Sequence, residues 1–260
     1  MDKIDSFVNN IICGDSKEIL KKMPDSSVDI VLTSPPYNFD MKYNSYDDNK
    51  KINDYFNLFL FPILSECYRV LKDDGRMIIN VQPLYSQNTP THHIISNYLT
   101  SLGMLWKGEI IWDKNTYNCA YTCWGSYKSP SSPYLKYTYE FIEVFCKKDK
   151  KKAGKLENID ITEDEFKDWV TARWSFAPEH RMKNFGHPAM FPEELPKRCL
   201  KLFSYKGDIV LDPFNGLGTT CVVAKRLNRK FIGIDISDEY CKKAELRVGN
   251  TAISRELFNE

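Results

Sequence analysis

Two short segments carry residue types that could do chemistry, and they lie far apart in the chain. The first consists of Ser34, Pro35, Pro36 and Tyr37, with a hydroxyl and a phenol on either side of two prolines. The second, 212–220, reads Asp-Pro-Phe-Asn-Gly-Leu-Gly-Thr-Thr, and Asp235 follows nineteen residues after Gly216. Each segment comes directly after an apolar run typical of a buried strand, so each is expected at a strand end.

The glycine-containing segment suits a nucleotide-like ligand that carries no phosphate. Its glycines would let the backbone approach the ligand, and Asp235 would accept hydrogen bonds from ribose hydroxyls. A pyrophosphate loop would have a third glycine and a P-loop would have Gly-Lys-Ser/Thr, and the segment has neither. The acid Asp212 stands where a phosphate would approach, which favours a ligand with an ammonium group. S-adenosylmethionine has both a ribose and an ammonium, whereas the alternative is a strand–helix turn without a ligand.

The Ser-Pro-Pro-Tyr segment offers acceptors at the edge of a sheet. Two prolines remove two backbone donors and end the strand where ligands bind in open α/β sheets. An exocyclic base amine is a poor nucleophile because its lone pair is delocalised into the ring. The Ser34 hydroxyl and the Pro35 carbonyl would accept its hydrogens, and Tyr37 would stack on a base flipped from the duplex. The alternative is a Pro-Pro turn with no catalytic role.

Alternating strands and helices must position these segments. Strands are predicted at 28–32, 76–81, 109–112, 140–145, 208–211 and 230–235, and helices at 16–23, 54–71, 94–102, 193–203, 219–227 and 238–248. This order predicts an α/β fold with a mostly parallel, twisted sheet and helices on both faces. Residues 39–53 are predicted to be a loop, and 73–75 to end the preceding helix. The irregular stretches 113–139 and 147–185 indicate an insertion at about 113–185 within one domain, 1–260.

Together, the two segments resemble those of the DNA amino-methyltransferases. Their order, with Ser-Pro-Pro-Tyr early and the glycine loop late, is similar to the circularly permuted β class of that family. The resemblance covers most of the chain and implies a Rossmann-like methyltransferase fold with S-adenosylmethionine as cofactor. Residues 112–114 and 139–141 are similar to the stretch that leads into target recognition, so 113–185 is expected to be the target-recognition region.

The resemblance also assigns site residues. The turn containing Asp15 is similar to one that contacts the cofactor adenine, and 187–195 to a segment that encloses its methionine end. The implied catalytic residues are Ser34, Pro35, Pro36 and Tyr37. The implied cofactor-binding residues are Asp15, His187, Pro188, Phe191, Pro192, Asp212, Pro213, Phe214, Gly216, Gly218, Thr219, Thr220 and Asp235.

The first catalytic residue bears on which base is methylated. Adenine enzymes of the family usually carry Asp or Asn where this chain has Ser34, whereas Ser is similar to the cytosine-N4 enzymes. The resemblance therefore favours cytosine N4, with adenine N6 as the alternative. Carbon-5 methylation would need a cysteine nucleophile after proline, and no cysteine of this chain follows a proline. Methylation of RNA or of a protein glutamine, and a non-catalytic DNA-binding partner, are the remaining hypotheses.

Composition limits the class of protein. The chain has 260 residues, 42% of them apolar, enough for one large domain. The net charge of +1 gives no overall basic signature, so DNA binding must depend on local features. The scattered cysteines and the lack of a signal or spanning segment predict a cytoplasmic protein without a membrane partner. Expected partners are double-stranded DNA, a cognate restriction endonuclease and a second copy, since members of this class often dimerise.

Other features have more ordinary explanations. Cys119 and Cys123 are four residues apart, but a zinc site needs four ligands, so no metal site is predicted. The lysine run at 147–152 is typical of a solvated loop, with phosphate contact as the alternative. The tryptophans at 124, 169 and 174 could wedge into DNA, but core packing is favoured for at least one. The pair His92-His93 indicates a helix start or a surface pair.

Overall fold

The computed structural model describes residues 3–38, 48–82, 89–114, 125–133, 135, 137–179 and 190–253. The strands of this described part are β1 (Asn10–Cys13), β2 (Val28–Thr33), β3 (Leu71–Val81), β4 (Leu105–Asp113), β5 (Tyr139–Cys146), β6 (Arg173–Ser175), β7 (Ile209–Asp212) and β8 (Lys230–Asp235). They form one sheet in the order β1-β8-β7-β2-β3-β5-β4-β6. Only β5 runs antiparallel to its neighbours, β3 and β4. The predicted mostly parallel α/β sheet is confirmed.

Helices connect the strands. They are α1 (Ser16–Leu20), α2 (Ile52–Asp54), a π-helical segment (Tyr55–Leu60), α3 (Phe61–Val70), α4 (Thr91–Ser101), a 3₁₀ turn (Leu156–Asn158), α5 (Glu163–Trp169), α6 (Glu194–Phe203), α7 (Thr219–Arg226) and α8 (Asp238–Gly249). The predicted loop at 39–53 is partly wrong because α2 begins at Ile52, and 39–47 lie outside the described residues. No described helix combines the length and apolar character needed to cross a membrane.

The interpretation of 73–75 as a helix end is wrong. The helix ends at Val70, and 73–75 lie within β3. Val28 of β2 pairs with Leu71, whereas Ile30 pairs with Arg76, so β3 carries extra residues at this point. The Asp-Asp-Gly sequence therefore accommodates a bulge, a local irregularity that glycine commonly marks in a strand.

Two cores lie on opposite faces of the sheet. Val31 of β2 packs into one core, whereas its neighbours Ile30 and Leu32 pack into the other. The first core includes residues of α1, α3 and α4, and the second includes residues of α5, α6, α7 and α8. Burial on both faces explains why the central strands are continuously apolar. The helices on both faces confirm the predicted layer arrangement.

The range 113–185 contributes directly to this architecture. It contains β5, which pairs with both β3 and β4, and β6, which pairs with β4. Trp169 and Trp174 are buried in the second core, with 4% and 1% of their surface exposed. Core packing, the favoured alternative, is thus confirmed for both tryptophans, while Trp124 lies outside the described residues. The sequence analysis missed β1, α5 and β6 because such short elements show little periodicity.

Two lysines of the run at 147–152 bind groups at the starts of β2, β3 and β7. Lys147 Nζ donates to the carbonyl of Leu71 at 2.5 Å, where β3 begins. Lys152 pairs with Asp29 at 3.4 Å and Asp208 at 3.3 Å, at the starts of β2 and β7. The prediction of a solvated loop and the phosphate alternative are therefore both wrong for Lys147 and Lys152, since both side chains are buried and bind the protein itself.

Candidate active site

The two chemically suggestive segments meet at the carboxyl ends of adjacent strands. Val31 of β2 pairs in parallel with Leu211 of β7, so Ser34 and Asp212 lie at neighbouring strand ends. Thr33 Oγ1 donates to Asp212 Oδ1 at 2.6 Å, which joins the two segments directly. Both segments line one cavity of ≈ 520 Å³, a volume common among small-molecule sites.

Most of the predicted site residues line this cavity. Those that do are Asp15, Ser34, Pro35, Pro36, Tyr37, Phe191, Asp212, Pro213, Phe214, Gly216, Thr219 and Asp235. Pro192, Gly218 and Thr220 are described but are not among the lining residues. His187 and Pro188 lie outside the described residues, as do Cys119 and Cys123. Within the described part of the chain, no group of three or more His, Cys, Asp or Glu side chains could hold a metal ion.

The glycine loop folds onto the end of β8. The Gly216 amide donates to Asp235 Oδ2 at 2.7 Å, and the Ser237 amide donates to Oδ1 at 2.9 Å. Gly218 has a φ of 77°, and a Cβ there would lie 2.9 Å from the Cβ of Ala244. This position needs glycine both for its left-handed backbone and for the close approach of α8. Asp235 therefore shapes the loop, and burial raises the pKa of its carboxyl.

Asp212 also has a structural task. Its Oδ1 accepts hydrogen bonds from Thr33 and from the Phe214 amide at 3.1 Å, and its Oδ2 accepts from Thr220 Oγ1 at 2.7 Å. Burial raises the pKa of Asp212 to about 6, although these three donors favour the charged form. Asp212 thus holds the glycine loop in place at the cavity wall. Its contact with a ligand ammonium stays a prediction.

The amino end of α1 closes the same wall. Asp15 caps this helix by accepting a hydrogen bond from the Lys17 amide at 2.8 Å. Ser16 Oγ donates to the Pro213 carbonyl at 2.5 Å and so fixes α1 against the glycine loop. Beside it, Ile236 is 50% exposed and lines the cavity, giving an apolar surface that the sequence analysis missed.

Hydrogen bonds of Tyr55 and Asn38 anchor the Ser-Pro-Pro-Tyr segment. The Tyr55 hydroxyl donates to the Pro36 carbonyl at 2.6 Å. Asn38, with a φ of 57°, donates its amide to Asp48 Oδ1 at 2.9 Å and its side-chain Nδ2 to the Lys50 carbonyl at 2.8 Å. The segment is therefore anchored to the start of the helix that follows it.

A buried polar chain continues from Ser34 into the protein. Ser34 Oγ lies 3.1 Å from the Tyr37 hydroxyl, which donates to Glu140 Oε2 at 3.1 Å. Asn80 Nδ2 donates to the Tyr37 oxygen at 3.1 Å and to Glu140 Oε2 at 2.5 Å. Lys114 Nζ pairs with Glu140 Oε1. The Ser34 hydroxyl at the cavity is thus connected to a buried carboxylate.

The sequence analysis missed the inner members of this chain. Lys114 and Glu140 were expected near the target-recognition region, and Asn80 was assigned no role. A signal was present, because Asn80 is a polar residue inside the apolar run 77–81. Its Oδ1 is buried without a hydrogen-bond partner in the described structure, and Asn80 lines the cavity. The antiparallel β5 brings Glu140 beside the carboxyl end of β3.

Comparison with known proteins identifies the family. Residues 28–246 match the DNA methylase family N6_N4_Mtase. The chain belongs to this family. The type II methyltransferase M.HpaI of Haemophilus parainfluenzae is 34% identical, over 92% of this chain and 73% of that protein. The DNA adenine methyltransferase YhdJ of Escherichia coli K12 is 32% identical, over 89% of this chain and 80% of that protein.

Solved structures agree with the observed fold. A protein of Thermus thermophilus, assigned as a DNA modification methylase and crystallised with S-adenosyl-L-methionine, is 27% identical with a TM-score of 0.73. The alignment covers 94% of both chains. PvuII DNA methyltransferase (cytosine-N4-specific) is 21% identical with a TM-score of 0.69, over 94% of this chain and 87% of that one. At this identity the second likeness shows the fold alone, which is Rossmann-like.

The enzyme is an S-adenosylmethionine-dependent DNA amino-methyltransferase, and its cavity fits that cofactor. One side of the cavity has Asp15, Asp212 and Asp235 among its lining residues. Lysine and arginine are absent from the described lining residues on that side, since Lys50 and Lys114 flank the Ser-Pro-Pro-Tyr side. An acidic wall suits a ligand whose sulfonium and ammonium groups are both positive, and it would repel a phosphate.

Proposed function

We propose that this enzyme methylates the exocyclic N4 amine of a cytosine that is flipped out of duplex DNA into the cavity. The observation that carries the proposal is the Ser34 hydroxyl, which stands on the cavity shared with the acidic cofactor wall. Ser34 occupies the position where adenine enzymes of the family usually carry Asp or Asn. A neutral hydroxyl there supports cytosine as the target.

The residues on the cavity have distinct roles in this proposal. Bound S-adenosylmethionine supplies an electrophilic methyl group. Ser34 Oγ and the Pro35 carbonyl accept the hydrogens of the amine and free its lone pair, while the Tyr37 ring stacks on the base. Catalysis then depends chiefly on holding the nucleophile and the methyl group in line.

The cofactor side has its own assignments. Asp235 accepts from the ribose hydroxyls, Asp15 contacts the adenine and Asp212 faces the ammonium. Phe191 encloses the methionine end, together with Pro192, His187 and Pro188. The remaining contacts come from the glycine loop, namely Pro213, Phe214, Gly216, Gly218, Thr219 and Thr220.

A second candidate is methylation of adenine N6. It is favoured by the 32% identity to YhdJ, which is named a DNA adenine methyltransferase. The same acceptors would serve an adenine amine, because both bases present two hydrogens on an exocyclic nitrogen. The two candidates differ in the base that the cavity admits.

Expression in a host without DNA methylation decides between them. Genomic DNA would be digested to nucleosides for mass spectrometry and also sequenced with single-molecule detection of modified bases. We expect N4-methylcytosine at one sequence motif, and no modified base from a Ser34→Ala control. N6-methyladenine would overturn the cytosine proposal, and unmodified DNA from the wild-type enzyme would overturn the proposed activity.

The proposal extends to DNA recognition and assembly. We propose that residues 113–185 supply the target-recognition region, that a cognate restriction endonuclease cuts the same sequence, and that the enzyme forms a homodimer. The endonuclease is supported by relatives named type II methyltransferases. Exchange of the part of 113–185 that lies between β4 and β5 with that of a relative would change the methylated motif, and sedimentation would give the assembly state.

A further inference from the structure

We propose that Glu140 is a positioning residue, which acts through Tyr37 to make the Ser34 hydroxyl an acceptor toward the target amine. Glu140 then receives the proton that the amine loses. This inference rests on the proposed role of Ser34 but applies equally to a cytosine or an adenine amine.

The direction of the hydrogen-bond chain follows from the number of hydrogens available. A carboxylate only accepts, so the Tyr37 hydroxyl must donate its single hydrogen to Glu140 Oε2, 3.1 Å away. Ser34 Oγ lies 3.1 Å from the Tyr37 oxygen, and in this contact the serine hydroxyl must then be the donor. With that hydrogen directed inward, the oxygen lone pairs of Ser34 are left to accept from the amine.

The surroundings of Glu140 suit the ionised form that this direction requires. Its side chain is 7% exposed and pairs with Lys114. Asn80 Nδ2 donates to Oε2 at 2.5 Å and also to the Tyr37 oxygen. A buried charge is tolerated only with such partners. Asn80 and Lys114 therefore hold the carboxylate and the phenol in the geometry that orients Ser34.

The same hydrogen bonds can carry the proton that the amine loses to Glu140. As the nitrogen bonds to the methyl carbon, sulfur keeps the electron pair of the broken carbon–sulfur bond, and the nitrogen must lose a proton. That proton passes to Ser34 Oγ, the serine hydrogen to the Tyr37 oxygen, and the tyrosine hydrogen to Glu140 Oε2. One N–H bond is broken, one O–H bond forms on Glu140, and water takes that proton after the product leaves.

Glu140→Gln tests the direction of the chain. The amide of the replacement can donate to Tyr37, which lets Tyr37 donate to Ser34 and turns the serine hydrogen toward the base. We expect the single-turnover rate to fall by about 100-fold or more, with unchanged affinity for S-adenosylmethionine and DNA. A wild-type rate would overturn the proposal.

A matched control lies three residues away on the same strand. Glu143 is also buried, and its carboxyl accepts from Trp106 Nε1 at 3.0 Å. Burial raises the pKa of Glu143 to about 7, so an amide resembles one of its natural states. Glu143→Gln should retain the wild-type rate, which shows that replacing a buried glutamate of β5 is not in itself damaging.

A double-mutant cycle separates orientation from general support. Tyr37→Phe removes only the hydroxyl and retains the stacking ring, so it disconnects Glu140 from Ser34. We expect Glu140→Gln to cause no further loss of rate in the Tyr37→Phe background, because residues that act as a unit are not additive. If the double variant instead loses rate by the product of the two single losses, Glu140 acts independently of Tyr37 and the proposal fails.

Discussion

At the scale of single residues, the site divides its polar groups between the ligand and the protein. Ser34 lines the cavity, and its hydroxyl is hydrogen-bonded to the Tyr37 hydroxyl. Asp212 and Asp235 border the same cavity, yet both use their oxygens to hold the glycine loop. A substitution at these acids therefore changes the loop as well as the ligand contact.

Ser34→Ala and Asp235→Ala should fail in different ways. Ser34→Ala removes an acceptor for the amine, so methyl transfer should be lost while S-adenosylmethionine binding persists.

Asp235→Ala removes the carboxyl expected at the ribose, so cofactor affinity should fall by about 10-fold or more, as for loss of a hydrogen bond to a charged group. Calorimetry and single-turnover kinetics measure the two quantities, and full activity of Ser34→Ala would contradict its catalytic assignment.

Asp212→Asn should stabilise the fold and weaken cofactor binding. The pKa of Asp212 is raised from 3.8 to about 6 in the folded protein, so ionising it costs folding free energy as pH rises from about 4 to 6. At 1.36 kcal/mol per pH unit, the full cost is about 3 kcal/mol above pH 6. The variant should therefore gain up to about 3 kcal/mol in unfolding free energy at pH 8 and nothing at pH 4. The denaturant midpoints of the wild type and of Asp212→Asn are to be measured at each pH. If the difference between them is the same at pH 4 and at pH 8, the expectation is wrong.

At the scale of elements, the direction of each strand decides what reaches the site. The parallel strands β2, β7 and β8 place Ser34, Asp212 and Asp235 at one edge of the sheet. Because β5 runs antiparallel, it presents its start rather than its end at that edge, and Glu140 is its second residue. One reversed strand thus adds a buried carboxylate to the edge where ligands bind.

Gly218→Ala tests the strand–helix turn. A side chain at a φ of 77° costs about 1–2 kcal/mol, and its Cβ would lie 2.9 Å from Ala244. The loop must shift, so we expect both the stability and the affinity for S-adenosylmethionine to fall. The matched control is Gly207→Ala, with a φ of 88° and no atom within 4 Å of the added Cβ. It should lose stability alone, and equal cofactor affinities in the two variants would refute a role of the turn in binding.

Across the domain, a buried ion pair joins the segment after β5 to the start of β8. Arg229 precedes β8, its side chain is 0% exposed, and it pairs with Asp160. Arg229 Nη2 donates to Asp160 Oδ1 and to the Ser204 carbonyl, each at 2.8 Å. The guanidinium therefore links the segment before α5, the end of α6 and the start of β8.

Arg229→Ala should destabilise the whole domain. It leaves the buried carboxylate of Asp160 without its cation, a change that typically costs about 3–5 kcal/mol. Urea denaturation of the ligand-free enzyme measures this loss, and we expect one cooperative transition at a lower midpoint. Lys242→Ala breaks an exposed pair with Asp238 and should leave the midpoint unchanged. Equal midpoints for the two variants would show that the buried pair does not stabilise the domain.

The sequence alone determined the features that local physics encodes. Two prolines end a strand, glycines permit a left-handed turn, and apolar periodicity locates helices and strands, so the Ser34–Tyr37 and 212–220 segments were found without coordinates. Their order was similar to that of the β class, and the family was then confirmed by comparison with known proteins. The helix end at 70 was misplaced because the Asp-Asp-Gly sequence fits a bulge as well as a turn.

The contacts between distant residues followed from the complete fold. Tyr37 and Glu140 are 103 positions apart, and their contact depends on β5 entering the sheet between β3 and β4. The use of the lysines at 147 and 152 within the protein depends on the same path. Local patterns give each strand its length and buried faces but do not give its neighbours, because pairing is settled by the packing of the complete chain.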